Sequence, residues 1–236
     1  MNKKTIAIIT ARGGSKRIPR KNIKLFLGKP IIQYSIEAAI QSGCFDEIMV
    51  STDDEEIATT ATKYGAKIPF MRSEKNSGDF STTADVITEA LNEYKSRGVE
   101  YQFACCIYPT APFVTANKLK TAFEKLVSKN AVSVVPVVRY GFPILRSFKM
   151  EGEFVKLNWP EHMNSRSQDL PPAFHDAGQF YFLEATHFME NKKLFTDKTI
   201  GIEMPESEVQ DIDNEEDWKL AEIKYTFLLH KYKGHV

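Results

Sequence analysis

An unbroken apolar run over residues 5–10 leads directly into a segment holding Gly13, Gly14 and six cations without a single acid: Arg12, Lys16, Arg17, Arg20, Lys21 and Lys24. Beyond it, Ile32, Ile36, Ala39 and Ile40 recur at the spacing of an amphipathic helix that starts near Pro30. A strand, a cationic loop and a helix in that order fit an α/β chain whose first crossover carries an anion site. Glycines let backbone N–H groups come close to phosphate oxygens, the cations offset the phosphate charge, and Pro19 stiffens the loop. The spacing matches neither G-x-x-x-x-G-K-[ST] nor G-x-G-x-x-G, so the segment reads as another kind of polyphosphate loop. A solvated basic turn is the plainer reading of the same residues.

The alternation continues. Residues 47–51 read as a strand, followed by Asp53 and Glu56 in a capping arrangement for a helix that turns Ile57, Ala61 and Tyr64 inward and ends at Gly65. Residues 68–71 make a short strand; Thr82 and Asp85 form a capping box for a helix carrying Val86, Ala90, Leu91 and Tyr94. A buried strand at 103–107, a helix at 118–129 and a β-branched strand at 131–138 follow. The pattern predicts an α/β fold: a mainly parallel sheet sandwiched by helices, with binding loops 11–22, 51–54, 72–82 and 108–117 on the rim of strand C-termini. Between 139 and 177 the periodicity breaks into short pieces, with a hairpin of 148–150 and 154–157 around Glu151, Gly152 and Glu153. This reads as an arm inserted in a single domain spanning 1–236. Its Tyr140, Phe142 and Trp159 suit a subunit interface, although a lid or surface flap fits the same residues. Strands at 179–183 and 199–204 and a helix at 215–231 close the chain.

With 42% hydrophobic and 26% charged residues, the chain can bury one sizeable core. Lysine plus arginine and aspartate plus glutamate both number 31, so the net charge is zero and no general attraction for nucleic acid or membrane is expected. Cys44, Cys105 and Cys106 lack zinc-ligand spacing and read as reduced, mostly buried thiols. The apolar run near the N-terminus stops at Arg12, short of a signal segment or membrane span, which points to a cytoplasmic protein. His162 and His175 read as structural, and Tyr181 and Trp218 as core aromatics.

Asp211 and Asp213 lie two positions apart, so in extended chain both point to one face. Their Cα atoms then sit roughly 6 to 7 Å apart, close enough to share one Mg²⁺ that also takes phosphate oxygens and water. An acidic helix start fits equally, because Asn214 and Asp217 make an N-cap pattern beside them. A polyphosphate loop and an acidic pair on one rim together suit metal-assisted transfer of a nucleotidyl group.

Five segments now carry a resemblance. They are Ala11 to Lys16 with Lys21 and Asn22; Ser51, Thr52, Asp53 and Asp54; Arg72 with Ser81, Thr82 and Thr83; Tyr108 to Pro112; and Arg166 to Gly178 with Asp211, Ile212 and Asp213. Spread over nearly the full length, they resemble the CMP-sialic acid synthetases, the acylneuraminate cytidylyltransferases. The resemblance implies a nucleotide-diphospho-sugar transferase fold, CTP as donor, Mg²⁺ as cofactor, a nine-carbon sialic-like sugar acid as acceptor, and a homodimer. It implies that Arg12, Ser15, Lys16 and Lys21, with Gly13 and Gly14, hold the triphosphate. Asn22 and Arg72 would assist at the cytidine and phosphate side, and Ser81, Thr82 and Thr83 would line the cytosine and ribose pocket. Asp211 and Asp213 would bind the metal, with Lys21, Arg12 and these two acids as the catalytic group. Tyr108, Thr110, Arg166, Gln168 and Asp176 would meet the sugar.

Two departures bear on that sugar. Tyr108 stands where the family ordinarily has a glutamine, and Asp176-Ala177-Gly178-Gln179-Phe180-Tyr181 replaces the familiar Asn-Gly-Ala-Ile-Tyr. Both resemble the branch that acts on pseudaminic acid, a di-N-acylated sugar of bacterial surfaces. N-acetylneuraminic or legionaminic acid is the alternative acceptor. A Kdo-type acceptor fits less well, because the His-x-Ser-Gly-Thr segment of that family is missing from 72–83. From a different class, a non-catalytic anion- or RNA-binding domain would use the basic loop with Asp211 and Asp213 as mere caps.

Overall fold

In the computed structural model, which describes residues 4–233, strand β1 (Thr5–Thr10) leads through the cationic loop into a two-residue-turn hairpin, β2 (Leu25–Phe26) and β3 (Lys29–Pro30), and then helix α1 (Ile31–Ser42). There follow β4 (Glu47–Ser51), α2 (Glu55–Lys63), α3 (Thr83–Ser96), β5 (Phe103–Ile107), α4 (Ala116–Ser128) and β6 (Ser133–Arg139). The second half adds the hairpin β7 (Phe148–Glu151) and β8 (Phe154–Leu157), then β9 (Phe174–Asp176), β10 (Phe180–Glu184), α5 (Ala185–Asn191), β11 (Thr199–Glu203) and α6 (Glu215–Lys233).

The main sheet runs in the order β11-β6-β10-β5-β1-β4, with β9 also paired to β6. Strand β1 is parallel to β4 and β5, and β11 to β6, whereas β10 is antiparallel to both β5 and β6 and β9 is antiparallel to β6. Strands β4, β1, β5, β6 and β11 therefore point one way and β9 and β10 the other, the mainly parallel sheet that the strand-helix alternation predicts. Register places Thr10 beside Ser51 and Ile9 beside Ile107, so the loops that leave β1, β4 and β5 emerge together on one rim.

The apolar run of β1 is buried because both faces of the sheet are covered. Ala7 and Ile9 face a core shared with Ile36, Ala61, Leu119 and Phe182, while Ile6 and Ile8 face another shared with Ile87, Tyr94, Tyr181 and Phe188. A third, smaller core under the β2–β3 hairpin joins Ile18, Phe26, Phe113 and Ile212 to Trp218 of α6. Ile18 thus pins the middle of the cationic loop, and Ile212 pins the acidic segment, into the same apolar patch.

Several sequence expectations need correction. Residues 68–71 form no strand; Lys67 alone bridges Met49, and Pro69 denies the ladder a donor. Helix α2 is capped by Asp54, whose carboxylate accepts from the Ile57 N–H at 2.9 Å, rather than by Asp53. Helix α4 starts two residues earlier than expected, at Ala116, because Thr115 caps it. The β2–β3 hairpin and α5 were not foreseen; the first turns through Leu27 and Gly28, both at positive φ. Trp159 of the 139–177 segment is half-buried, whereas Phe142 and Phe154 are 88% and 77% exposed. The Thr82–Asp85 capping box stands as predicted, and the β7–β8 hairpin turns at Gly152 with φ 64°. Among the described residues no helix is long and apolar enough to cross a membrane.

Phe182 is fully buried at the centre of the larger core, its ring stacked 5.7 Å from Phe45. Phe182→Ala is expected to cost about 3–5 kcal/mol in a urea unfolding measurement; a loss below about 1 kcal/mol would mean that β10 is not the packed centre of this layer.

Candidate active site

Where β1, β4 and β5 end, a cleft of about 440 Å³ opens, with Arg12, Ser15, Lys16, Arg17, Lys21, Asn22, Tyr108, Thr110, Asp79 and Asp213 among its walls. The loop that builds it is fastened at several points. The Gly13 N–H donates to Asp53 Oδ1 at 2.8 Å, and the buried Asn22 amide donates to the Arg12 carbonyl at 2.9 Å, closing the loop on itself. A Cβ on Gly13 would lie 2.9 Å from the Asp54 Cβ, so the close approach of loop and β4 terminus requires glycine. A Cβ on Gly14 would meet nothing within 4 Å, and the protein's own packing does not demand glycine there.

The six cations of the loop divide into two sets. Arg20, at φ 56°, turns back onto Asp54 with Nη2 2.9 Å from Oδ1 and also reaches Glu56. Lys24 pairs with Glu215 at 2.7 Å over the Trp218 ring. These two build the loop. Arg12, Lys16, Arg17 and Lys21 face the cleft. Arg17 meets Asp213 at 2.8 Å; Arg12 meets Asp79 at 2.8 Å and Lys16 holds the same carboxylate.

The acidic segment approaches from the opposite wall. Lys21 Nζ donates to the Ile212 carbonyl at 2.6 Å and stands 3.9 Å from Asp213 Oδ1. With Ile212 buried between them, Asp211 and Asp213 turn outward, the two-residue alternation that the spacing predicts. Asp213 lines the cleft; Asp211 stands just outside its wall, within electrostatic reach of Asp213 and Lys21. Capping of α6 falls to Asn214 and Asp217: Asn214 Oδ1 accepts from the Glu216 and Asp217 N–H groups, and Asp217 Oδ2 accepts from those of Asp213 and Asn214. Both candidate carboxylates are therefore spared from holding the helix start. From behind, Lys224 of α6 donates to the Glu206 and Val209 carbonyls and to Gln210 Oε1 at 2.8–3.1 Å, and Gln179 donates to the Glu208 carbonyl.

Electrostatics reflect this crowding. Burial pushes the Lys21 ammonium below its ordinary pKa, against the upward pull of Asp213 and Asp211. Asp211 remains open to solvent on one side, yet its carboxyl is pushed up, first by desolvation against the wall and then by repulsion from Asp213. Two hard oxygen donors whose charges oppose each other are relieved by a divalent cation, so the pair fits Mg²⁺ with phosphate oxygens and water completing the shell. Among the described residues no group of three or more metal-ligating side chains occurs.

Other predicted residues lie elsewhere. Buried Arg72 donates from Nε to Ser51 Oγ at 2.9 Å and from Nη2 to the Ser51 carbonyl, behind the cleft rather than on its wall; burial lowers its pKa and Asp53 opposes that. Ser81 donates to the Lys75 carbonyl, Thr82 caps α3, and Thr82 and Thr83 line a separate cavity of about 400 Å³ with Leu194 and Phe195. Tyr108 joins the two cavities: it lines the cleft, and its hydroxyl lies 3.0 Å from Thr83 Oγ1. Behind it, the Tyr181 ring packs at 5.5 Å and its hydroxyl donates to Asp176 Oδ2 at 2.6 Å. Arg166 is spent on Asp169 at 2.7 Å, and Gln168 lines a cavity of about 460 Å³ with Tyr140, Phe142 and Glu206; neither is brought to the cleft. Cys105 and Cys106 are buried thiols whose pKa burial raises, not nucleophiles.

Sequence reading missed Asp79, the anchoring role of Asp53, and Lys224. Asp79 had a usable signal, an acid in a rim loop facing uncompensated cations, whereas Lys224 on a helix face had none. A larger cavity of about 590 Å³ between α1, α4 and α6 is walled by Tyr34, Phe113 and Tyr225, and its Lys118 is neutralised by Glu208 at 2.9 Å. It offers no set of anion donors, so chemistry rather than size selects the smaller cleft.

Comparisons with known proteins show the family. A family model described as cytidylyltransferase matches residues 6–224. The chain is 44% identical to a pseudaminic acid cytidylyltransferase of Campylobacter jejuni over 94% of this chain and 96% of that one. It is 36% identical to a CMP-N,N'-diacetyllegionaminic acid synthase of Legionella pneumophila over 92% and 94%. Among solved structures, a CMP:2-keto-3-deoxy-manno-octonic acid synthetase complexed with CTP superposes with a TM-score of 0.68 at 16% identity, covering 96% of this chain and 99% of that one, a likeness of fold.

Asp211 generates a pH prediction. Its folded pKa lies above its ordinary value, so the stability it contributes is present at low pH and is lost as pH rises through the raised value. In metal-free buffer Asp211→Asn is expected to raise Tm at neutral pH, with the gap closing below about pH 4. A lower Tm at neutral pH would show that attraction to Lys21 outweighs repulsion by Asp213.

Proposed function

The chain belongs to the cytidylyltransferase family, and on that premise we propose that it transfers the cytidylyl group of CTP to the anomeric hydroxyl of pseudaminic acid, releasing pyrophosphate. The observation that carries this reading is the cleft in which Arg12, Lys16 and Lys21 of one loop face Asp213 of the acidic segment. The acceptor is assigned on the 44% identity to an enzyme of that name, together with Tyr108 and Asp176.

Arg12, Lys16 and the Ser15 hydroxyl, with the Gly14 N–H, would hold the triphosphate, the Gly13 N–H being given to Asp53. Asn22 and Arg72 serve indirectly, the first by fixing the Arg12 carbonyl and the second by fixing the end of β4. The nucleoside would extend toward Ser81, Thr82 and Thr83, and the sugar toward Tyr108, Thr110 and Asp176. Asp211 and Asp213 would hold Mg²⁺, which when bound polarises the α-phosphate and lowers the pKa of the sugar hydroxyl. The anomeric oxygen bonds to the α-phosphorus, the bond to the bridging oxygen breaks, pyrophosphate leaves with the electron pair, and the hydroxyl proton passes to solvent. Lys21, held beside Asp213 by its bond to the Ile212 carbonyl, offsets the charge gathering on the α-phosphate oxygens.

The proposed use of CTP supports a cytoplasmic location. The exposed Phe142, Phe148 and Phe154 support a homodimer built through 139–177, with Arg166 and Gln168 on the same arm.

Pyrophosphate release from CTP and Mg²⁺ is to be measured with pseudaminic, N-acetylneuraminic and legionaminic acids in parallel. Turnover with pseudaminic acid alone is expected, falling about 10²–10³-fold in Lys21→Ala and to background in Asp213→Asn. Turnover with another of the three would move the acceptor assignment and leave the cleft assignment standing, while silence with all three overturns the proposal.

A further inference from the structure

Asp79 and Asp213 are the two carboxylates on the wall of the cleft among the described residues, and Asp79 comes from the loop between Arg72 and α3. It accepts from Arg12 Nη1 at 2.8 Å and from Lys16 Nζ, so one carboxylate bridges the two cations assigned above to the triphosphate. Glu89 of α3 fastens the start of that loop, accepting from the Ser73 N–H at 2.8 Å and from the Asn76 amide at 3.0 Å, whereas the bonds of its tip, residues 77–81, are otherwise local. Ser77 bonds to the Ser73 and Glu74 carbonyls, Ser81 bonds to the Lys75 and Gly78 carbonyls, and the Phe80 side chain is 98% exposed. For residues 77–81, the two ion pairs of Asp79 are thus the polar ties to the body of the fold.

We propose that Asp79 is an internal counter-anion that sets the affinity of this enzyme for CTP, occupying Arg12 and Lys16 as a phosphate would and leaving them when the triphosphate arrives. The inference rests on the triphosphate reading given above. Two cations side by side repel, and a carboxylate between them keeps both aimed into the cleft. A phosphate brought to the same donors would face that carboxylate at close range, so the two anions compete for one set of N–H groups. Exposed ion pairs of this kind are weak, and displacement costs a modest factor in affinity. Asp79 therefore acts as an affinity-setting residue for the reaction and makes no bond to the nucleotide.

The test is isothermal titration of CTP, and separately of inorganic tripolyphosphate, into the wild type, Asp79→Asn, Asp79→Ser and Lys16→Ala, with KM for CTP measured alongside. Both Asp79 variants are expected to bind both ligands about threefold to tenfold more tightly, with KM falling in step and the gain narrowing in about 0.5 M NaCl. A merely structural Asp79 would not give tighter binding in two different replacements. Unchanged or weaker binding in Asp79→Asn and Asp79→Ser, with Lys16→Ala weakened, overturns the counter-anion while leaving the triphosphate assignment intact. Unchanged binding of both ligands by Lys16→Ala removes that assignment and this inference with it.

Discussion

Like charge packed into one loop is the constraint from which the rest of the site follows. Four cations directed into a single cleft repel one another, and in this protein acids from distant parts of the chain meet them: Asp79 for Arg12 and Lys16, Asp213 for Arg17 and Lys21. The pairs are partly exposed, so each contributes little to stability. What they supply is direction, because a guanidinium or ammonium held by a carboxylate points where the carboxylate stands. The same loop spends Arg20 and Lys24 on Asp54 and Glu215, which fixes its path so that the other four can be aimed.

Such aiming needs a rigid base, and the sheet provides it. Strand β1 is sealed on both faces, and its register with β4 and β5 brings Asp53, the cationic loop and Tyr108 to one rim. Glycine at position 13 is the point at which the loop and the end of β4 come together, closer than a side chain would permit. The acidic segment is clamped similarly. Ile212 is sunk in the small core, Lys21 holds its carbonyl, and Lys224 gathers the preceding turn. Two carboxylates that repel each other are thereby kept within one electrostatic neighbourhood, and the carboxyl of Asp211 is pushed up in consequence.

The residues beside the cleft behave differently. Tyr108, Thr83, Tyr181 and Asp176 form a connected layer beside the cleft, in which a hydroxyl of α3 meets one tyrosine and a carboxylate of β9 meets the next. Arg166 and Gln168 are carried away on the arm, on which Phe142, Phe148 and Phe154 are exposed. Of the residues expected to meet the sugar, Tyr108 and Asp176 thus sit at strand ends beside the cleft, and Arg166 and Gln168 on a peripheral element.

By itself the sequence determined what is local and periodic. Buried strands flanked by helices announced the α/β sheet, since a run apolar at every position is stable only when both of its faces are covered. The Thr82–Asp85 box announced the start of α3, and alternation about Ile212 announced that Asp211 and Asp213 share a side. Tertiary structure alone decided which partner each charge takes. Nothing in the spacing of Asp53 and Asp54 says which one caps α2 and which one holds the Gly13 N–H, because both fit a cap and the choice is made by the approach of the cationic loop. Equally, six cations in one segment look alike along the chain; that Arg20 and Lys24 build the loop while Arg12 and Lys16 share Asp79 depends on acids brought from 34 to 191 positions away. Periodicity is written by neighbours in sequence, whereas charge pairing is settled by neighbours in space, and here those neighbours are assembled only when the sheet closes.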